Sequence, residues 1–302
     1  MRITSQAMVR TSLQGLNSNL GALAKLQQQL TSGTMISRPS DSPTGTNTVM
    51  LTRRNIANND QQARNITDGT AVLNATDTAL QDMLAQTLKA RDLTVQALNG
   101  GVSSPETRQA IASQVTGLRE SMLGQANQIV AGHPLFGGAT SGSAAYDGTG
   151  KYVGVGGSAG IPVIPMNRRV SDNETIRVDT TGAEAFGDPD KGPDLFAVVQ
   201  NIATHTTADD QAGLTADLTA LDAAISRMTK ATADVGTRGQ RLEQAASINS
   251  TRALTLSAQL SATEDVDLPK TIMNMQAQQV SYQAALQVTA KVLQPTLLDF
   301  LH

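Results

Sequence analysis

Three histidines, one knot of acids and one glycine-rich run are the residues here with the types to do chemistry. His133, His205 and His302 would serve as metal ligands or general bases if they shared a ligand spacing or stood beside a nucleophile. They do neither. Glu264, Asp265 and Asp267 in ATEDVD gather three carboxylates. A calcium loop needs about twelve residues and an internal glycine; both are missing, so the knot reads as a helix cap. GVGGSAG (154–160) holds the G-x-G-x-x-A spacing, which cradles a pyrophosphate only where a helix follows directly. IPVIP follows instead, so a β-turn region is expected. NIT (65–67) and NET (173–175) fit the asparagine-glycosylation triplet, a weak pattern. The sequence has no cysteine, which excludes disulfides, thiolate nucleophiles and zinc–thiolate sites. No enzymatic activity, cofactor or metal is expected.

Composition points to long helices. The 302 residues suggest about two domains at ~150 residues each. Charged residues are 16%, against roughly 25% in an average soluble domain. Aromatic residues are 2%, too few to fill a wide core. Alanine and leucine without aromatics suit thin helix-on-helix seams. A net charge of -3 gives no support to nucleic acid or an anionic membrane as partner. MRITSQAMVRTSLQGL lacks the apolar stretch of a cleaved secretory signal. No run approaches the ~18 apolar residues of a membrane span.

The longest pattern is Leu214, Leu218, Leu221, Ile225, Met228, Thr232, Val235, Gly239, Leu242, Ala246, Asn249, Ala253, Leu256 and Leu260. Its steps alternate four and three, the seam of a left-handed coiled coil. As one helix it would run about 70 Å at 1.5 Å per residue. The first half of the chain supplies partners. Pro43 opens a segment to about Leu98 with a seam at Ile66, Leu73, Leu80, Leu84, Leu88 and Val95. Asn99-Gly100-Gly101 breaks it. Ser104 and Pro105 then read as N-cap and first helical residue. Ile111, Val115, Leu118, Met122 and Ile129 continue the same spacing. The expected fold is mainly α: a long antiparallel coiled-coil bundle of three helices drawn from both chain halves.

Composition changes between the halves. Residues 132–160 hold ten of the 25 glycines. Val153 with Val155, Ile161 with Val163 and Ile176 with Val178 alternate as short strands do. Phe136, Tyr146, Tyr152 and Phe186 fall in the same region. A small β-rich insert over 136–192 is expected, between arms at 43–135 and 193–262.

Residues 1–42 and 263–302 form a third zone. Leu13, Leu16, Leu20, Leu23 and Leu30 keep the four-three spacing, broken by Gln27. Ile272, Met275, Tyr282, Leu286 and Leu293 do the same, broken by Gln279. Beyond them stand Leu297, Leu298, Phe300 and Leu301. Ordering such a segment costs on the order of 1–2 kcal/mol per residue in backbone entropy. Burying each of those four side chains contributes only ~1.5–3 kcal/mol. Isolated helices are marginal in water, and Gly15 and Gly21 weaken the first further. Both ends are therefore expected to lack order in a free monomer and to gain it from each other and from neighbouring molecules. On pattern alone, folding back onto their own bundle is the open alternative; Gln27 and Gln279 do not decide it.

Four stretches resemble one family. LTSGTMISRPSDSPTGT (30–46) resembles the N-terminal signature of bacterial flagellins and their junction relatives, matching at Leu30, Ser32, Gly33, Ile36, Pro39, Ser40, Asp41, Pro43 and Gly45. Ser42 stands where a second aspartate is common. HPLFGG (133–138), VGTRGQRLE (235–243) and the run 262–301 resemble later elements of the same family, in the same order. The last, with Leu297, Leu298, Asp299, Phe300 and Leu301, is similar to the tail of the hook–filament junction branch rather than of the flagellins proper.

The resemblance implies a structural subunit of the bacterial flagellum that joins a hook-side hook-associated protein to the flagellin filament. It implies an extracellular place, export unfolded by the flagellar type III system, self-association in a ring, and an export chaperone on the C-terminal segment. The terminal leucines and residues 272–301 named above would form the assembly interface. Pro39, Ser40, Asp41 and Pro43 would form a hinge. Leu214, Leu218, Leu221, Ile225, Met228, Val235 and Leu242 would hold the bundle. A filament-forming flagellin is the nearest rival, and a secreted coiled-coil adhesin the rival from another class.

Overall fold

The computed structural model describes residues 2–99, 104–130, 132–139, 142–154, 164–188, 192 and 194–293. Among these are seven α-helices and four short strands. The helices are α1 (Arg2–Ser32), α2 (Pro43–Leu98), α3 (Pro105–Ala126), α4 (Gly182–Phe186), α5 (Leu195–Ala208), α6 (Gln211–Glu264) and α7 (Leu268–Leu293). The strands are β1 (Ile129–Val130), β2 (His133–Pro134), β3 (Asn167–Arg169) and β4 (Thr175–Arg177). The protein is mainly α, as its patterning predicts. It divides into two compact units, Asn59–Thr251 and Met1–Asn58 with Arg252–His302.

In the first of these, α2 and α6 run antiparallel. Arg91 pairs with Asp222 at 2.6 Å, while Asn59 meets Asn249 far along both helices. The buried face of α2 carries Asn59, Gln62, Ile66, Gly69, Leu73, Thr76, Leu80, Met83, Thr87, Ala90 and Thr94, alternating three and four. Five of these eleven residues are polar, and each has a partner. Thr76, Thr87 and Thr94 donate their hydroxyls to the carbonyls of Val72, Met83 and Ala90, four residues back, at 2.7–2.8 Å. Asn59 and Asn249 donate to each other's side-chain oxygens at 3.3 and 3.1 Å. A buried amide pair of this kind fixes one register of two helices, because a slip leaves both amides unpaired.

On α6 the seven-residue frame Leu214, Leu221, Met228, Val235 and Leu242 is buried throughout. The intervening seam positions differ by one residue from the expected ones. Asp217, Ala224 and Ala231 are buried, while Leu218, Ile225 and Thr232 sit half-buried beside them. Small alanines at the closest approach draw the helices together, and the larger side chains cover the shoulders. Leu88, expected on the α2 seam, is 44% exposed. Ile129 lies past the end of α3, exposed in β1.

α3 starts as its sequence predicts: the Ser104 hydroxyl accepts from the Thr107 N–H at 3.2 Å, with Pro105 in the first turn. It buries Ile111, Val115 and Met122. The preceding break, Gly100-Gly101, lies outside the described residues. α5 is a helix the three-helix reading did not contain. Asp194 caps it, accepting from the Ala197 N–H at 2.6 Å. It packs antiparallel on α3, with Arg108 paired to Asp209 at 2.9 Å at one end and Arg119 Nε donating to the Phe196 carbonyl at 3.2 Å near the other.

The insert is built around rings more than strands. β1 pairs with β2, and β3 with β4, both antiparallel and two or three residues long. Tyr146 and Tyr152 add a single bridge. Val155, Ile161 and Val163 lie outside the described residues. Five of the seven aromatics (Phe136, Tyr146, Tyr152, Phe186 and Phe196) form one cluster, with edge contacts of 4.9 Å for Phe136–Phe186 and 4.7 Å for Tyr146–Phe196. Edge-to-face rings fill a small core without long strands.

Gly69 is where the insert meets the bundle. A Cβ there would stand 3.0 Å from Val178 Cγ1 and 3.3 Å from Leu242 Cδ1. Gly69→Val is therefore expected to destabilise the protein by about 1–3 kcal/mol, despite valine's better helix propensity; thermal unfolding checks it. Gly239, on the expected α6 seam, has no neighbouring atom within 4 Å of an added Cβ, so the close approach lies at Gly69 instead.

Candidate assembly interface

The second unit brings the two terminal helices together. α1 and α7 lie antiparallel, fixed near one end by the bridge between Thr34 and Asp265. There the Met35 N–H donates to the Glu264 carbonyl at 2.6 Å, and the Val266 N–H to the Gly33 carbonyl at 3.1 Å. Farther along, Gln278 Nε2 donates to Asn19 Oδ1 at 3.1 Å.

The seam between these helices is thin. On α1 it uses Leu16, Asn19, Leu23, Leu26 and Leu30, all half-buried. On α7 it uses Thr271, Met275, Gln278, Tyr282, Ala285 and Thr289. The expected stripes lie partly off this seam. Leu16, Leu23, Leu30, Met275 and Tyr282 are on it. Leu13 and Leu20 are exposed on one flank of α1, and Ile272 and Leu286 on one flank of α7. Leu293 closes α7; its side chain, and Leu297, Leu298, Phe300 and Leu301, lie outside what is described. His302 lies there also.

Sequence spacing missed three further apolar residues of α7. Met273, Val280 and Val288 are exposed; at 100° per residue the first two point away from the seam and Val288 lies on the flank opposite Ile272. Apolar side chains thus surround α7, a distribution proper to a helix covered on all sides. The missing signal was available: reading Leu23, Leu26 and Leu30 as the three-four steps, instead of Leu20 and Leu23, turns the α1 face onto its observed seam.

The bend between α1 and α2 is a closed local network. Gly33 has φ 70, the left-handed conformation that ends many helices. Asp41 Oδ2 accepts from the N–H groups of Arg38 at 3.0 Å and Ser37 at 3.3 Å, and Asp41 pairs with Lys25 at 3.1 Å. The Lys25 ammonium, followed by the Arg38 N–H, holds the Asp41 carboxyl below the usual carboxylate range. Ser42 caps α2, accepting from the Gly45 N–H at 3.1 Å. A Cβ on Gly45 would stand 2.6 Å from Ile36 Cδ1, so Ile36 rests on the bare backbone there. Pro39 and Ser40 are exposed at the corner. Asp267 caps α7, accepting from the Lys270 N–H at 3.1 Å. The Glu264 carboxylate pairs with Arg53. Asp265 accepts from the Ser261 hydroxyl at 2.5 Å, so the acidic knot is spent on one cap, one ion pair and one local hydrogen bond, and no group of three metal-ligating residues forms among the described residues.

Two descriptions of known families match this chain. The bacterial flagellin N-terminal helical region matches residues 3–139, and the bacterial flagellin C-terminal helical region matches residues 218–301. Together they take in well over half of the sequence. The chain belongs to the bacterial flagellin family. Flagellar hook-associated protein 3 of Escherichia coli is 27% identical over 301 residues, covering 94% of this chain and 95% of that protein. Flagellin of Bacillus subtilis is 25% identical over 294 residues, covering 94% of each. The crystal structure of Bacillus cereus FlgL shares the fold with a TM-score of 0.58 at 22% identity, covering 68% of this chain and 97% of that one. The family is one of structural flagellar proteins, and this chain is a flagellar component.

The flagellin signature over 30–46 is legible as physics in this structure. Gly33 turns the chain, Asp41 ties the corner, Ser42 and Pro43 start α2, and Gly45 receives Ile36. Gly33→Ala is expected to cost about 1–2 kcal/mol through its positive φ alone, since nothing lies within 4 Å of the new Cβ; denaturant unfolding of the full chain measures it. The flagellin-like LFGG element places Leu135 and Phe136 in the aromatic core. The VGTRGQRLE element puts Val235 and Leu242 in the seam. Its arginines hold the insert: Arg238 Nη1 donates to the Asp179 carbonyl at 2.8 Å, and Arg241 pairs with Glu174 at 2.8 Å.

Proposed function

We propose that this flagellar protein joins a hook-side hook-associated protein to the flagellin filament. The observation that carries the reading is the apolar circumference of α7, half-covered by a thin seam with α1 and otherwise open at Leu268, Ile272, Met273, Val280, Leu286 and Val288. A helix of that kind completes its burial on other molecules. The assembly interface then comprises Leu13, Leu16, Leu20, Leu23 and Leu30 with Ile272, Met275, Tyr282, Leu286, Leu293, Leu297, Leu298, Phe300 and Leu301. Pro39, Ser40, Asp41 and Pro43 form the hinge beside it. Copies assemble in a ring through asymmetric contacts, so that one face meets the hook side and the other the filament. The subunit leaves the cytoplasm unfolded by the type III pathway, with a chaperone on its C-terminal segment, and works outside the cell. The absence of cysteine suits threading.

In the dilute chain the pair of α1 and α7 is marginal and opens readily; it gains lasting order on assembly. Hydrogen exchange on the dilute chain tests this: rapid exchange over both helices supports it, and slow exchange over both removes it.

The tail resemblance and the hook-associated relative favour the junction role. The equally extensive match to a flagellin keeps a filament-forming subunit as the second reading. A deletion strain separates them. Intact hooks with flagellin shed into the medium support the junction role; normal filaments dismiss it. Seeded growth of long homopolymers from purified protein would favour the flagellin reading.

A further inference from the structure

Unit Asn59–Thr251 holds a cleft of about 400 Å³ between α6 and the segment that follows β4, lined by Thr180, Glu184, Arg227, Lys230, Asp234 and Arg238. Two of these residues bring buried polar atoms that have no partner among the described residues: Thr180 Oγ1 and Arg227 Nε. Thr180 is 4% exposed. Among the described residues the guanidinium of Arg227 hydrogen-bonds only to the Phe186 carbonyl, through Nη2 at 3.4 Å.

An arginine N–H donates and never accepts. A buried donor is normally satisfied by protein, water or ligand. What this cleft lacks is an acceptor. The charges around it point the same way. Lys230 and Arg238 add two cations, and Arg238 commits only Nη1, to the Asp179 carbonyl. Glu184 does not offset them, because Arg177 already holds both its oxygens at 2.9 Å and the Thr181 N–H adds a third bond at 3.1 Å. Asp234, exposed on the lining, and Asp194, which interacts with Arg227 from outside it, are the acids left to oppose three cations.

We propose that this cleft binds a small oxyanion through Arg227, Lys230 and the Thr180 hydroxyl. Arg227 and Lys230 stand three apart on α6 and point to one side, while Thr180 approaches from the opposite wall. Donors on two walls suit a group with several acceptor oxygens. Inorganic phosphate has that chemistry, and so does the carboxylate of an acidic side chain on another protein.

Calorimetric titration of the full chain, in low-salt chloride buffer, tests the site with phosphate, sulfate and succinate in turn. Saturable binding is expected, weakened about tenfold or more by Arg227→Gln and by Lys230→Gln. Lys230 is exposed, so its variant keeps the fold even if Arg227→Gln does not. Binding of phosphate and sulfate assigns a free inorganic ion; binding of succinate alone assigns a carboxylate side chain. Absence of saturable binding by all three, or equal affinity in wild type and the Lys230→Gln variant, overturns the proposal and leaves the cleft to water.

Discussion

Leu221→Ala should destabilise unit Asn59–Thr251 by ~2–5 kcal/mol, the cost of a large side chain removed from a packed core. Leu221 is 0% exposed and belongs to the continuous apolar cluster of that unit. For a domain of this size each kcal/mol lowers the midpoint by roughly 2–4 °C, so thermal unfolding reads the effect easily. The comparison that gives it meaning is Leu218→Ala. Leu218 lies three residues earlier and carries the same side chain, but it is half-buried on the shoulder. It should cost less than half as much. Leu88→Ala, at a position with 44% exposure, should cost less than either, within about 1 kcal/mol. If Leu218 proves the more costly position, the seam of α6 is rotated from the one described.

The seven-residue frame of α6 was legible because it is uninterrupted and made of large residues. Its second position was not. Spacing alone prefers Leu218 and Ile225 to Asp217 and Ala224, since it scores hydrophobicity and ignores how closely two backbones approach. Side chains that permit a close approach are small, and small side chains carry a weak hydrophobic signal. The same limit hid part of the α2 seam: spacing found Ile66, Leu73 and Leu80 but not Thr76, Thr87 and Thr94, which are buried through bonds to their own helix. α5 was missed for another reason. At 14 residues it follows GDPDKGPD, which sequence reading takes as the end of an insert and not as the start of a cap. The insert itself was recognised by its glycines and aromatics, yet its strands are too short to give alternation. At the candidate interface, the spacing located two terminal helices and their breakers, Pro43 and Asp267 among them. It did not show which flank each helix turns to the other, because Leu13, Leu20 and Leu26 are equivalent until a partner is specified.

Val280→Asp combined with Leu286→Asp should abolish assembly and leave the isolated chain as stable as before. In the single chain both residues are open to solvent, 66% and 43% exposed, and exposed substitutions of this kind change stability by no more than about 0.5 kcal/mol. In an assembly that covers α7 the same carboxylates would be taken out of water. An unpaired buried carboxylate is costly enough to be excluded or neutralised. Each lost side chain also forfeits ~1.5–3 kcal/mol of burial. In the ring proposed above the loss would recur at every subunit, so a modest cost per contact would become failure of the whole structure. Complementing a deletion strain with the double variant should leave cells non-motile, with the variant and flagellin both in the medium. Unfolding of the purified variant should match wild type. Tyr282→Ala offers the contrast: Tyr282 faces α1 on the seam, so its loss should loosen the terminal pair within one chain before it affects contacts between chains. Normal filaments in the double variant would mean that the open face of α7 meets no neighbour, and the terminal helices would then have to join subunits through their common seam alone.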